Sequence, residues 1–348
     1  MTHILVIDEG HAGHLTQSRG LATALAARVG ATLEMFAVHL SLSGLLRPLL
    51  RLATDLSPHG LPDWALRLAF RWTGELSSLR ADVIVTSGGH GLYFATSLAR
   101  RLGCPLVFCG DPSPLPVRWC DVILSPVPVP GHARVIQTEL LVTEMSPERI
   151  SGRGEAYREA SVRTGGTCLA ALLVGGDSRS HLYTRADWEG LARGINRLGE
   201  RGWRWLVSTS RRTPEPAERL LRESIEPRFL VKAVWWHAQP ERVMLDYLGA
   251  ADVVLVTQDS LSMLSEAMAA GKPVVSLVPA EVRPSKFIES VLSLQEERRR
   301  LVRVPIDALG DWDLRSVPFR VVDTDLVADY ASQVAALLPP VRGSRHAG

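Results

Sequence analysis

Residues 168–178 read Cys-Leu-Ala-Ala-Leu-Leu-Val-Gly-Gly-Asp-Ser, an apolar run of strand length that halts at a glycine pair. A continuous apolar run bounded by a turn marks a strand covered on both faces, as in a parallel sheet. The same construction opens the chain, where Ile4-Leu5-Val6-Ile7 precedes a loop containing Gly10 and Gly13. Strand candidates lie at 3–8, 83–87, 105–109, 121–125, 168–174, 203–208, 253–257 and 273–278. Between most of them, apolar residues recur at helical spacing, so the pattern predicts an α/β fold of two doubly wound parallel sheets flanked by helices. The polar, glycine-rich stretch 151–166 separates the two series. The expected organisation is a first domain over 1–160, a second over 161–322, a helix within 323–340 and a tail over 341–348.

At 348 residues with 46% hydrophobic content, the chain can bury two ordinary cores. Basic and acidic residues number 39 and 37, a net charge of +2, which disfavours a dedicated nucleic-acid binder. Only Lys232, Lys272 and Lys286 are lysines, so arginine must do most of the cationic work. The cysteines Cys104, Cys109, Cys120 and Cys168 fit neither a CxxC nor a zinc spacing, and a reducing cytoplasm is the expected setting. The N-terminal MTHILVIDEG reads as a first strand and not as a signal peptide, and no apolar run approaches the roughly 18 residues of a membrane span.

In open α/β sheets ligands bind beyond the carboxyl ends of the strands, so the loops there are the candidates for chemistry, lining a cleft common to both domains. In the second domain, Thr257-Gln258-Asp259-Ser260-Leu261-Ser262 leads into a helix that carries Glu266 and ends before Gly271-Lys272-Pro273. Asp259 or Ser260 can cap this helix, and its start, with the Ser260 and Ser262 hydroxyls, suits a phosphate. Glu266 falls on the face of Ser262, where a carboxylate can accept two hydrogen bonds from vicinal ribose hydroxyls. The alternative is a capped surface helix with a solvated glutamate. Gly175-Gly176 lets backbone amides approach an anion, and Ser210-Arg211-Arg212 adds a hydroxyl and two guanidinium groups. Together these loops resemble a nucleotide pocket.

In the first domain the loop 8–20 holds Gly13, His14 and Gln17, without the GxGxxG register of a dinucleotide site. His14, at a helix start, is the leading candidate for a general base. Its rivals are His90, beside Gly88 and Gly89, and Asp111. Each could instead stabilise its own loop. His11, His14, His90 and His132 lack ligand partners at metal spacing, and no metal is expected. The stretch 42–72 mixes Arg47, Arg51, Arg67 and Arg71 with Leu, Trp64, Phe70 and Trp72. It reads as basic amphipathic helices that either lie on an anionic membrane surface or pack on the sheet.

Ser210-Arg211-Arg212-Thr213-Pro214, the Asp259-Ser260-x-Ser262-Met263-x-Ser265-Glu266-Ala267 segment with Gly271-Lys272-Pro273, and Gly13-His14-x-x-Gln17 resemble the mitochondrial fission Elm-one family. The resemblance spans most of the chain and is strongest over 168–278. It implies a GT-B-like fold and a glycosyltransferase in which the residue matching Glu266 holds the donor ribose. It also implies a final helix that crosses back to the first domain. Where the class carries a Pro-x-His-Asp element after the fourth strand, this chain has Ser125-Pro126-Val127-Pro128-Val129-Pro130-Gly131-His132. The expectation is metal-independent transfer from a nucleotide sugar to a hydroxyl acceptor, lipid-linked or in a cell-envelope glycan, with no cofactor. His14, His90 or Asp111 would be the base. The phosphate would lie against Gly175, Gly176, Ser210, Arg211, Arg212, Asp259, Ser260 and Ser262, and the acceptor against Gly13, Gln17, Gly88 and Gly89. Localisation would be cytoplasmic, peripheral on the inner membrane face if 42–72 meets lipid. The alternatives are a nucleotide-sugar epimerase or hydrolase, and a non-catalytic membrane scaffold.

Overall fold

The computed structural model describes residues 2–163, 168–316 and 318–339. The chain divides into two compact units, Met1–Glu144 with Leu326–Gly348, and Met145–Asp325.

The first unit contains β1 (His3–Asp8), β2 (Thr32–Ala37), β3 (His39–Leu40), β4 (Phe70–Arg71), β5 (Val83–Ser87), β6 (Leu106–Cys109), β7 (Val122–Ser125) and β8 (Val135–Gln137). Six of these form a parallel sheet in the order β2-β1-β5-β6-β7-β8, while β3 and β4 pair antiparallel. Its helices include α1 (Ala12–Val29), α2 (Arg47–Leu56), α3 (Asp63–Ala69) and α4 (Gly89–Leu102). Alternate residues of β1 and β5 face opposite layers. Leu5, Ile7 and Ile84 pack with Phe94 of α4, whereas Ile4, Val6, Val83 and Val85 pack with Leu21 and Leu25 of α1. Both faces are covered, which is why Ile4–Ile7 of β1 and Val83–Val85 of β5 are continuous apolar runs. Helix α1 stops at Gly30, whose φ of 65° and N–H bond to the Ala26 carbonyl form a left-handed cap.

The second unit contains α5 (Pro147–Ile150), α6 (Glu155–Arg163), β9 (Cys168–Leu173), β10 (His181–Leu182), α7 (Arg185–Glu200), β11 (Trp203–Ser208), α8 (Glu215–Ser224) and β12 (Leu230–Val234). There follow α9 (Met244–Ala250), β13 (Val253–Thr257), α10 (Leu261–Ala269), β14 (Val274–Val278), β15 (Glu281–Val282), α11 (Lys286–Glu297) and β16 (Leu301–Pro305). The six-stranded parallel sheet runs β12-β11-β9-β13-β14-β16. A final helix, α12 (Leu326–Leu337), belongs to the first unit: Tyr330, Ala331 and Val334 join the α1 side of its core, and the Tyr330 hydroxyl accepts from the Glu139 amide at 2.7 Å.

All eight strands expected from the apolar runs form, within one residue at either end. The additional sheet strands β2, β8, β12 and β16 occupy the four sheet edges. The units divide at Glu144/Met145, ahead of the polar stretch, because Gly154 and Gly249 let the segment entering α6 pack closely on α9. Residues 42–72 form two helices that bury one face, with Leu50, Leu66, Ala69 and Phe70 in the core, and leave the other in solvent. No helix among the described residues is long and apolar enough to cross a membrane.

Strand order sets where ligands can bind. In each sheet the chain reverses its winding direction once: between β1 and β5 in the first, and between β9 and β13 in the second. Helices leave to opposite faces at such a point, so the loops there open a crevice at the strand ends.

Candidate functional site

In the first unit the crevice is formed by the loops after β1 and β5. Glu9 is the residue after β1, and its side chain is only 3% exposed against 42% for His14. One carboxylate oxygen accepts from His14 Nδ1 at 2.5 Å and the other from the Gly91 amide at 2.6 Å. Burial pushes the Glu9 carboxyl up. The His14 hydrogen bond and charge, the Gly91 amide and His90 outweigh that push and hold it below the ordinary range. An ionised carboxylate only accepts, so Nδ1 carries the proton and the outer Nε2 is the basic nitrogen. Gly88 makes the approach feasible: at φ 86°, a Cβ there would lie 2.1 Å from Glu9 Oε1 and 2.3 Å from His14 Nδ1.

The His11 ring stands 5.5 Å from that of His14 and 6.3 Å from that of His90. Burial lowers the His90 pKa against the raising effect of Glu9, and Arg47, His11 and His14 add to the lowering. Gln17 donates to the Gly13 carbonyl at 3.3 Å, leaving its buried Oε1 without a partner, near Gly110. The structure therefore gathers His14, Gly13 and Gln17 at the start of α1 and Gly88, Gly89 and His90 at the start of α4. Asp111 accepts from the Ser113 amide at 2.9 Å, an Asx-type turn that places it as a loop brace. His132 ties its own loop to the Cys120 carbonyl at 2.8 Å.

In the second unit the crevice is formed by the loops after β9 and β13. Here the expected use of the glycine pair changes. The Gly175 amide donates to Thr257 Oγ1 at 2.6 Å and the Gly176 amide to Asp259 Oδ2 at 3.1 Å, so both N–H groups are taken up within the unit. The glycines serve close packing: a Cβ on Gly175 would meet Asp259 Oδ2 at 2.2 Å, and one on Gly176 the Arg212 carbonyl oxygen at 2.0 Å. Asp259, whose side chain is 0% exposed, also accepts from the Tyr183 hydroxyl at 2.9 Å and pairs with the Arg212 guanidinium at 2.7 Å. Burial drives its carboxyl upward despite Arg212 and these donors, and burial together with Asp259 raises the Tyr183 phenol. Asp259 and Arg212 thus brace the loops rather than offering free charge.

The groups of these loops not taken up in that bracing are Arg211, Ser260, Ser262 and the start of α10. Arg211 is exposed and forms no ion pair among the described residues. Ser260 sits at the cap position without capping through its side chain, and its hydroxyl lies 3.3 Å from that of Ser262. The first amides of α10 are therefore not satisfied by a cap. Glu266 is buried one turn beyond Ser262, and Gly271 ends the segment at φ 72°. The Ser210 hydroxyl accepts from the Arg212 amide, while Thr213 donates to the Gly175 carbonyl at 2.5 Å, clipping this loop to the glycine pair.

Three features were not read from the sequence. Glu9 stands five residues before His14, and the sequence shows this acid but not its burial. Tyr183 reaches Asp259 from a loop with no motif. Glu218, buried in α8, accepts from Thr209 Oγ1 at 2.5 Å and from the His237 amide at 3.0 Å, fixing half-exposed Trp236 at the end of β12. No group of three His, Cys, Asp or Glu residues spaced for a metal occurs among the described residues.

The model of the family described as "Mitochondrial fission ELM1" matches residues 12–330. The chain belongs to this family. No curated protein matches it in sequence. Among solved structures, this ELM1-family chain is similar to a UDP-GlcNAc 2-epimerase from Methanocaldococcus jannaschii, at 10% identity over 97% of this chain and 99% of that one, TM-score 0.56. It is similar to S. aureus MnaA in a co-structure with UDP, at 12% identity over 97% and 90%, TM-score 0.54. It is also similar to Phytolacca americana UGT2 complexed with UDP-2fluoro-glucose and pterostilbene, at 13% identity over 97% and 94%, TM-score 0.53. At such identities these likenesses establish the fold, which is GT-B-like with two Rossmann-like units.

Proposed function

We propose that the chain is a glycosyltransferase that moves a sugar from a nucleotide-activated donor to a hydroxyl of a lipid-linked acceptor, without metal assistance. The observation that carries this reading is the Glu9–His14 pair, a buried carboxylate that fixes one ring nitrogen of a half-exposed imidazole and leaves the other basic. Nε2 of His14 takes the acceptor proton as the acceptor oxygen bonds to the anomeric carbon and the bond from that carbon to the donor phosphate breaks. The departing nucleoside diphosphate gathers negative charge, which the α10 start, Ser260, Ser262 and Arg211 are suited to meet. Glu266 holds the ribose. The nucleotide part of the reading is supported by the UDP and UDP-sugar ligands of the similar structures named above.

A thermal-shift screen against nucleoside diphosphates and nucleotide sugars, with Glu266→Ala as comparison, tests it. A ligand at a hundred times its Kd stabilises by roughly 2.7 kcal/mol. The expected result is a shift with one nucleotide class that the variant loses. Sugar released or epimerised without acceptor would favour an epimerase or hydrolase, and no shift with any nucleotide would favour a scaffold.

A further inference from the structure

Among the described residues, seven of the fifteen large apolar side chains left exposed fall between positions 45 and 68: Leu45, Leu46, Leu49, Leu52, Leu56, Trp64 and Leu68. Single exposed leucines are ordinary, but this concentration is not. Leu49, Leu52 and Leu56 of α2 recur at i, i+3 and i+7, so they form one stripe, while Leu50 and Thr54 on another face are buried. In α3 the same division holds, with Trp64 and Leu68 outside and Leu66 and Ala69 inside. Each helix therefore satisfies the core with one face and leaves a second apolar face in water.

We infer that this face of α2 and α3 docks on an anionic lipid bilayer. Charge selects that occupant. Arg51, Arg67 and Arg71 of the segment are exposed, Arg51 donating to the Pro114 carbonyl at 3.1 Å, and Arg47 is half-buried and acts on His90, whereas the acids of the segment are already neutralised: Asp55 pairs with Arg118 at 2.7 Å and Asp63 pairs with Arg101. Exposed leucines and a Trp64 that is 68% exposed, in a segment that also exposes Arg51, Arg67 and Arg71, match a surface whose interior is apolar and whose headgroups are acidic. A second copy of the chain is a poorer occupant, because a two-fold contact would bring one basic segment close to another. The helices lie on the surface and do not span it, since α2 has only 10 residues and α3 only 7.

The test is flotation of the full chain with vesicles of phosphatidylcholine alone and of phosphatidylcholine mixed with phosphatidylglycerol, at low and high salt. Binding to the acidic vesicles, reduced by salt, is expected. Leu49→Ser, Leu52→Ser and Leu56→Ser should each lower the partition coefficient on the order of tenfold, and Arg51→Gln, Arg67→Gln and Arg71→Gln about fivefold each. Unchanged melting curves would show that the exposed variants fold. The inference is overturned if the chain ignores acidic vesicles, if the leucine variants bind as well as the parent, or if sedimentation shows a dimer that those variants abolish. Binding is read without nucleotide, so its failure leaves the transferase reading standing, and failure of that reading leaves this one.

Discussion

Replacing Glu9 with Gln separates the chemical role of this carboxylate from its structural role. Glu9 bonds His14 Nδ1 at 2.5 Å and the Gly91 amide at 2.6 Å. A glutamine offers one carbonyl and one NH2 group to the same two partners. Gly91 claims the carbonyl, because a buried N–H left without an acceptor costs about 1–3 kcal/mol. The NH2 group then faces Nδ1, which must accept, and the imidazole proton moves to Nε2. At Gly91 a charge-assisted bond becomes a neutral one, a loss of about 1 kcal/mol. His14 is 42% exposed, so its side of the pair adds only a few tenths. The variant should thus unfold about 1–2 kcal/mol more easily, yet lose about 10²–10⁴ in turnover, the usual worth of a general base. Long-range proton–nitrogen correlation spectra, with His14→Gln for assignment, report which ring nitrogen is protonated. A variant that keeps Nε2 bare, or one destabilised by more than about 4 kcal/mol, would refute the reasoning.

Gly88→Ala places a Cβ at φ 86° and 2.1 Å from Glu9 Oε1, and should destabilise by about 2–4 kcal/mol in urea titration; a change under about 0.5 would show that the Glu9–His14 contact is loose. The pH dependence has a definite sign: the Glu9 carboxyl lies below its unfolded value of 4.5, so the stability gap between the parent and Glu9→Gln is full above about pH 4.5 and closes as pH falls through the folded-state value. A gap that widens in acid, measured by parallel denaturant curves, contradicts the assignment. Arg211→Ala should leave stability within about 0.5 kcal/mol while weakening nucleoside diphosphate binding by about tenfold in calorimetry. Arg212→Ala should instead cost about 1–3 kcal/mol, less than an unpaired buried charge usually does, because Asp259 can take up a proton. The reverse pattern would exchange the two roles.

The central strands are legible because they are buried on both faces: every residue of β5, β6, β7 and β13 is buried, and burial on both sides leaves an apolar run of at least three residues, with Ser or Thr only at the carboxyl end. The four edge strands are not. TLEMFA in β2 has a single buried residue, Phe36, and LVKAV in β12 has only Val234, so their sequences carry the polar and charged residues of half-covered surfaces. At the site, the loops were found from strand ends and glycines, but the roles of individual groups were not. Gly175-Gly176 signals close approach, and a sequence does not say what approaches; the close neighbours are Asp259 and the Arg212 backbone, brought in from loops 83 and 36 residues further on. Hydrogen bonds between such distant segments leave no local periodicity to read.

The two units solve one steric problem in the same way and differ in the groups that pair with the carboxylate. At each crevice a buried carboxylate accepts an amide from the loop across the switch point: Glu9 from Gly91, and Asp259 from Gly176. At each, a glycine leaves the carboxylate its room, since a Cβ on Gly88 or Gly175 would stand 2.1 or 2.2 Å from its oxygen. The remaining oxygen valence is met by His14 in the first unit and by Arg212 with Tyr183 in the second. A guanidinium does not release its proton near neutrality, so Arg212 can fix a loop but cannot act as a proton acceptor. An imidazole held through Nδ1 keeps a second nitrogen that can. Under the proposed transferase reading, proton transfer falls to His14 in the first unit and charge stabilisation to Arg211, Ser260, Ser262 and the start of α10 in the second, which is the division of labour that transfer between a neutral hydroxyl and an activated phosphate ester requires.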